Sequence, residues 1–572
     1  MSGPSTANMN KKIKSLISIA SPLRGRSPAP SFVSESRAPA KLSPGVSFGL
    51  SVSDKALDRS KLPSGSSQTE GLGRFSGNVR HQAARPSIAE SNRILGKMEL
   101  QMASGPKWMW VRRFGLALFF GSVMCVVAAA LVSIVQTPEC KPTPKLGWWQ
   151  KGPLYRIALQ SFRDTTADGL GDLRGIQRQL QYIAQLHVVA IIIVPYDNLN
   201  QTAHTLNVSR LREDVFGDTE DLKPLLKAAA KYGMKVILDL TLFSALLESN
   251  ISASIDRDNE GILQQLMTEF RFWFREGVDG IFIKMSTVSL KKTFIIELLK
   301  TWKKIARRYS SSSKERIFII ATSKEEHDYL ISVLINVPGV MIFVYYLNDL
   351  LTNSKITEKA STLDDYNHKL EFEWCGFIFG EGHIASMILQ RQQGTHIKLF
   401  AILLLTMPGT PLFHYGDEIA LKDYKESKYP LMRWDKSKYA GFTNSLPWIS
   451  PDLNVYTPTV SQQSEDPLSV LSFYRALGKI RIEEPPLQYG DFYIMINTTN
   501  VLAYIRQWDQ TGILVIMNFG GPVTYDFTAV YLPSTALLLA KSSDVSQCGL
   551  INLQNMAIEA NMGYILKYFI AE

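Results

Sequence analysis

Residues 154–176 read LYRIALQSFRDTTADGLGDLRGI. Leu154–Leu159 is a short, mostly apolar run of β type. A loop follows, Asp164 to Asp172, with side-chain oxygens on alternate residues and glycines between them. The same kind of apolar run recurs at Val188–Pro195, Lys235–Leu240, Gly280–Met285, Arg316–Thr322, Met341–Leu347, Leu370–Phe379 and Thr410–Tyr415. Longer helical patterns separate the runs. Strands that alternate with helices pair in parallel, and eight such units predict a closed (β/α)8 TIM barrel. After Pro485 the pattern changes. Asp491–Ile496, Val501–Trp508, Gly512–Phe519 and Met562–Ile570 predict a small C-terminal antiparallel β-domain.

Upstream of the barrel, Phe114–Val135 is 22 residues without a charge. At ~1.5 Å per residue it crosses a ~30 Å hydrocarbon core with room to tilt. It begins too far into the chain and runs too long for a signal-peptide core. Lys107, Arg112 and Arg113 precede it, which places the N-terminus in the cytosol. The sequons at Asn200, Asn207, Asn250 and Asn497 all follow the span and agree with that orientation. The first 113 residues hold 18 Lys+Arg against 6 Asp+Glu, and the remainder 44 against 46. The basic balance therefore belongs to a Ser/Pro-rich tail rather than to a folded basic face, and nucleic acid is excluded as a partner. That tail has too little apolar surface to offset its ordering entropy. Lys11, Lys12 and Lys14 suit contact with anionic membrane lipid, and Ser91–Ala103 has the spacing of a short helix at the membrane surface. The expected organisation is a mostly disordered cytosolic tail (1–105), a transmembrane helix with flanks (106–136), an extracellular stalk (137–147), the barrel (148–484) and the β-domain (485–572). It describes a single-pass type II protein of the plasma membrane.

LYRIALQSFRDTTADGLGDLRGI, KVILDL (235–240), GVDG (277–280) and PGTPLFHYGDE (408–418), in this order, resemble the motifs of glycoside hydrolase family 13, the α-amylases. The membrane span, Cys140 and Trp148-Trp149 add a narrower resemblance. It is to the heavy chain of the heteromeric amino acid transporters, solute carrier family 3. The short stretch between Asp239 and Asp279 leaves no room for a large inserted domain, which favours the widely expressed cell-surface antigen branch of those heavy chains.

Glycoside hydrolysis needs two carboxyl groups flanking the scissile bond. The α-amylase resemblance implies an Asp nucleophile four residues after the last Gly of GVDG, where Lys284 stands, and an Arg two before it, where Phe282 stands. It implies an acidic residue at the end of strand five, where the chain has Thr322 and Ser323. A third carboxylate belongs at the end of Glu381-Gly382-His383-Ile384, where Ile384 stands. The usual Asn-His after strand three is Phe243-Ser244. Asp239 and His383 remain. The expectation is a barrel without catalysis and without a sugar substrate. Glu325, Glu326 and Glu381 are the carboxylates that a displaced mechanism would use.

The 164–172 loop offers hard oxygens in a curved, Gly-permitted turn. The α-amylase resemblance implies one structural calcium ion held by Asp164, Thr166, Asp168, Asp172 and the carbonyl of Leu170. Thr166 stands where the ligand is usually Asn. The alternative is an inherited turn whose Asp side chains bond backbone amides. Cys140 lies just beyond the span in an oxidising compartment, which suggests intermolecular pairing. The transporter resemblance implies a disulfide there to a multi-span light chain. Cys125 lies within the span. Cys375 reads as a core thiol and Cys548 as a loop residue, with a bond between these two left open. The leading expectation is an ancillary subunit that anchors, stabilises and traffics a transporter. A membrane-tethered α-glucosidase-like enzyme and an adhesion or carbohydrate-binding receptor are the alternatives.

Overall fold

The computed structural model describes residues 97, 98, 101, 105–136, 142–196, 219–241, 259–284, 292–321 except 313, 341–346, 374–379, 383, 396–423, 429–450, 458–530 and 532–570. Helix α1 (Pro106–Gln136) contains the uncharged stretch and exposes apolar side chains all round it, among them Leu118, Phe119, Met124 and Val126. It is the one helix among the described residues long and apolar enough to cross a membrane. Trp108 and Trp110 sit in its first turn, where an aromatic belt belongs. Residues 97, 98 and 101 are helical, as the spacing predicts; the rest of 91–103 lies outside the described residues.

The barrel strands are β1 (Leu154–Ala158), β2 (Ala190–Val194), β3 (Lys235–Asp239), β4 (Gly280–Lys284), β5 (Ile317–Ala321), β6 (Met341–Tyr346), β7 (Cys375–Ile378) and β8 (Thr410–His414). Each pairs in parallel with the next, and β8 pairs with β1 to close the barrel. All eight predicted runs form strands. Strand β7 is described only from Cys375, because 370–373 lie outside the described residues.

Runs such as AIIIV and IFIIA are apolar at every position because both strand faces are buried. Leu154, Ile192, Ile237, Phe282, Ile319 and Leu412 fill the interior, and Trp149 packs with them. The alternate residues Tyr155, Ile193, Leu238, Ile281, Phe318 and Phe413 face outward into a second core. That core includes the crossover helices: the short α2 (Leu173–Arg178), α3 (Leu222–Lys231), α4 (Asn259–Glu276), α5 (Lys292–Tyr309) and α6 (Ile397–Thr406), followed by α7 (Val470–Glu483). Between β3 and β4 the described residues include helix α4, and Thr241 directly after β3 is also helical.

The C-terminal part is β9 (Asp491–Asn497), β10 (Val501–Trp508), β11 (Thr511–Asn518), β12 (Val523–Tyr525), β13 (Thr535–Lys541), β14 (Gly549–Asn552), β15 (Met556–Ile558) and β16 (Gly563–Phe569). Six of these form an antiparallel sheet in the order β14-β13-β16-β11-β10-β9, and β12 pairs with β15. Along β10, Leu502 and Tyr504 face the barrel core while Val501, Ala503 and Ile505 face a separate cluster under β12 and β15.

Two buried arginines converge on the end of α6, one from α7 and one from the sheet. Arg481 on α7 donates from Nη1 to Met407 O (2.6 Å) and Leu405 O (3.4 Å), and from Nη2 to Gly409 O. Arg506 on β10 donates from Nη1 to Thr406 O (3.0 Å) and from Nη2 to Gly490 O (2.9 Å). The carbonyls at the end of α6 have no helical partner and carry the negative end of its dipole. Two cations meet that need. Burial lowers both pKa values, Arg481 to about 9 and Arg506 to about 10, so both stay charged at neutral pH.

Candidate functional site

In a (β/α)8 barrel chemistry is placed at the C-terminal strand ends. Asp239 (β3), Lys284 (β4) and His414 (β8) are the last residues of their strands, and Arg156 is the middle residue of β1. Arg156 shares its strand face with the interior residue Leu154, so its guanidinium enters the barrel mouth. Its Nη2 lies 2.6 Å from Asp239 Oδ2, and the guanidinium carbon is 5.3 Å from the centre of the Phe282 ring. Asp239 Oδ1 accepts from Thr241 N at 2.9 Å, and Thr241 Oγ1 in turn accepts from Lys284 N at 2.9 Å. Asp239 is 1% exposed. The one carboxylate at these described ends is thus held in an ion pair rather than poised as acid, base or nucleophile.

His383 is buried, and both of its ring nitrogens meet acceptors. Nδ1 is 2.7 Å from Asp423 Oδ1 and Nε2 is 2.6 Å from Tyr415 O. A carbonyl and a carboxylate can only accept, so the geometry favours a ring that donates from both nitrogens, the imidazolium form. Burial pulls its pKa down, but the Asp423 bond, the charges of Asp417 and Asp423 and the Tyr415 carbonyl hold it above the ordinary value. Such a ring has no lone pair for general base work. It is a structural cation behind β8.

Glu418 lies close by in sequence and is fully buried. Its Oε1 accepts from Tyr155 Oη at 2.7 Å and Tyr182 Oη at 2.6 Å. Burial pushes its pKa up to about 7, and the two tyrosine bonds only partly offset that. Both His383 and Glu418 have folded pKa values above their unfolded ones. Each contribution is therefore complete below the unfolded pKa and is lost as pH rises through the folded value. Glu418 spans the window from its ordinary carboxylate value to about 7. His383 extends the decline above its ordinary 6.5. The melting temperature is expected to be higher near pH 6 than near pH 8. Glu418→Gln, which keeps the acceptor and removes the ionisation, is expected to flatten that decline. A melting curve series across these pH values checks it; equal slopes in both proteins would refute the assignment.

The five residues of the expected calcium set fall in one loop after β1. Asp164 Oδ1 accepts from Thr166 N (2.9 Å), Thr166 Oγ1 (3.1 Å) and Ala167 N (2.8 Å). Its Oδ2 accepts from Gly169 N (2.9 Å) and Thr443 Oγ1 (2.6 Å). Asp172 caps α2 through Gly175 N (2.6 Å) and accepts from Thr165 N (2.6 Å). Asp168 Oδ1 accepts from Leu170 N at 2.9 Å. Among the described residues no group of three or more His, Cys, Asp or Glu side chains is arranged to hold a metal ion.

Asn497 is exposed at the end of β9. Cys375 is a buried thiol in β7 and Cys548 an exposed one, and no disulfide joins them. Ser323, Ile384, Phe243, Ser244, Glu325, Glu326, Glu381, Cys140, Asn200, Asn207 and Asn250 lie outside the described residues. Sequence reasoning passed over Arg156, Asp423 and Glu418. For Arg156 a signal existed: it is the charged residue on the inward face of a strand whose other inward residue is Leu154.

Two family models match the chain. The α-amylase catalytic domain matches residues 156–243 and 381–490, and the solute carrier family 3 member 2 N-terminus matches residues 88–155. The rabbit (Oryctolagus cuniculus) amino acid transporter heavy chain SLC3A2 is 29% identical over 83% of this chain and 87% of its own. The chain is a homologue of the solute carrier family 3 heavy chains. The human (Homo sapiens) amino acid transporter heavy chain SLC3A1 is 23% identical, over 70% of this chain and 74% of its own. Among solved structures, the trehalulose synthase MutB from Pseudomonas mesoacidophila MX-45 superposes with a TM-score of 0.59 at 19% identity. That match covers 74% of this chain and all of the synthase, and it shows the fold alone. The heavy-chain homology thus runs through a domain with an α-amylase fold, and it begins ahead of α1.

Proposed function

We propose that the chain is the non-catalytic heavy-chain subunit of a two-chain amino acid transporter. The observation that supports this most is the heavy-chain N-terminal match over 88–155, which takes in both α1 and Cys140. In this reading α1 is a type II anchor in the plasma membrane. Lys107, Arg112 and Arg113 lie against anionic cytosolic lipid. The barrel and sheet are extracellular and glycosylated, with Asn497 an accessible acceptor alongside Asn200, Asn207 and Asn250. Cys140 forms the disulfide to a multi-span light chain. A single uncharged helix offers no path for a polar solute. Transport therefore belongs to the light chain, which the heavy chain stabilises and brings to the surface. The ion-paired Asp239, the protonated His383 and the cation Lys284 at the strand ends support the absence of hydrolysis.

Non-reducing electrophoresis of the native complex tests the covalent link. The expected result is a heavier species containing both chains, which Cys140→Ser converts to monomer. Monomer alone in native membranes would count against it. Incubation with maltooligosaccharides is expected to leave substrate intact; turnover that disappears on Glu381→Ala would overturn the non-catalytic part.

A further inference from the structure

We infer that the 164–172 loop is a calcium-independent clasp, in which the Asp164 carboxylate occupies the organising role that the α-amylase resemblance assigns to a metal ion. A carboxylate offers about four lone-pair sites. Asp164 receives five donors across its two oxygens, and three of them are backbone amides of its own loop. Those amides, from Thr166, Ala167 and Gly169, converge on one anion. Their dipoles stabilise the carboxylate's charge, and with the two hydroxyls they take up the lone-pair sites that a calcium ion would otherwise use. Thr166 Oγ1 also donates to Asp164 Oδ1.

The backbone is shaped for this arrangement. Ala167 adopts φ 64° and Gly169 φ 91°, which brings the successive amides round onto the carboxylate. A Cβ at Gly169 would lie 2.3 Å from Leu446 O, so glycine is required twice over at that position. The clasp also has a far side. Thr443 Oγ1 bonds Asp164 Oδ2, Asp164 N donates to Phe442 O at 2.9 Å, and Trp448 N donates to Gly169 O at 3.0 Å. Three bonds thus tie residues 442–448 to the loop after β1. Asp168 contributes little, since it is exposed and spends one oxygen on Leu170 N.

The test uses the full-length protein in detergent, melted in a chelator and again in millimolar calcium. The expected result is one melting temperature in both. Thr443→Val is expected to lower it by a few degrees, equally with and without calcium. Asp168→Ala is expected to leave it unchanged in calcium. Terbium, added as a luminescent probe of calcium sites, is expected to give no saturable tryptophan-sensitised emission that depends on Asp168. A fall in melting temperature on chelation, restored by calcium in the parent but not in Asp168→Ala, would overturn the clasp. So would saturable terbium emission that Asp168→Ala removes. Restoration by calcium that survives Asp168→Ala would also count against the clasp, since Asp164, Thr166, Asp172 and the Leu170 carbonyl would remain to hold the ion. Should Thr443→Val fail to fold, the Asp168→Ala comparison decides alone.

Discussion

Arg481→Ala is expected to cost about 4–6 kcal/mol of folding stability. The side chain is fully buried and serves three carbonyl acceptors, those of Leu405, Met407 and Gly409. Each buried acceptor left without a donor costs about 1–3 kcal/mol. Truncation also opens a cavity between α6, α7 and the sheet, where little collapse is available because Arg506 and Tyr504 are themselves bonded to Thr406. For a unit of this size the per-residue unfolding entropy gives on the order of 1 °C per kcal/mol, so a drop of about 5 °C is the readout. Arg481→Lys keeps the charge but not the planar fork, and it is expected to recover only part of the loss. Lys479→Ala, on the exposed side of the same helix, is expected to stay within about 0.5 kcal/mol of the parent. Thermal melts of the three variants in one detergent check the set. An Arg481→Ala protein that melts with the parent would show that water replaces the guanidinium without cost.

That arginine also marks where reading the sequence stops. The eight barrel strands were legible because a strand buried on both faces must be a short apolar run, and eight such runs stood between helical patterns. Strands β9, β10, β11 and β16 were legible as closely spaced β-type runs, although β9 is largely exposed. Strands β12 to β15 were not. β12 and β15 are too short to show a period, β14 is an exposed edge, and β13 reads TALLLAK, a run of good helix formers. Its two neighbours in the sheet override that propensity. At the barrel mouth, Asp239 and Lys284 were placed correctly at strand ends by their position after apolar runs. The protonation of His383 was not legible, because its partner Asp423 is 40 residues away and in no motif. The clasp was less legible still: Thr443 is 279 residues from Asp164, so the loop alone reads first as a metal site and only second as a turn. Local pattern carries the fold; the state of each buried charge depends on what distant chain brings to it.

The Arg156–Asp239 pair makes the same point in a form that can be measured. Arg156→Met is expected to destabilise the barrel by about 3–5 kcal/mol, because Asp239 is left as a buried charge without its partner. The loss should grow with pH, since an unpaired buried carboxylate is stabilised by taking up a proton. Replacing both members, Arg156→Met with Asp239→Leu, is expected to lie much closer to the parent, because two charges no longer need to leave water. A double-mutant cycle should therefore show a coupling of about 2 kcal/mol or more, and additive losses would refute the pair. The barrel mouth supplies a further control. Phe282 stands where the α-amylase resemblance implies an Arg. Its strand partner in β3 is Asp239, and its ring lies beneath the Arg156 guanidinium. If Asp239 needs a guanidinium rather than Arg156 in particular, then adding Phe282→Arg to Arg156→Met should return part of the lost stability. A combined variant no more stable than Arg156→Met alone would show that the β1 origin of the cation, and its stacking on Phe282, are what the fold requires.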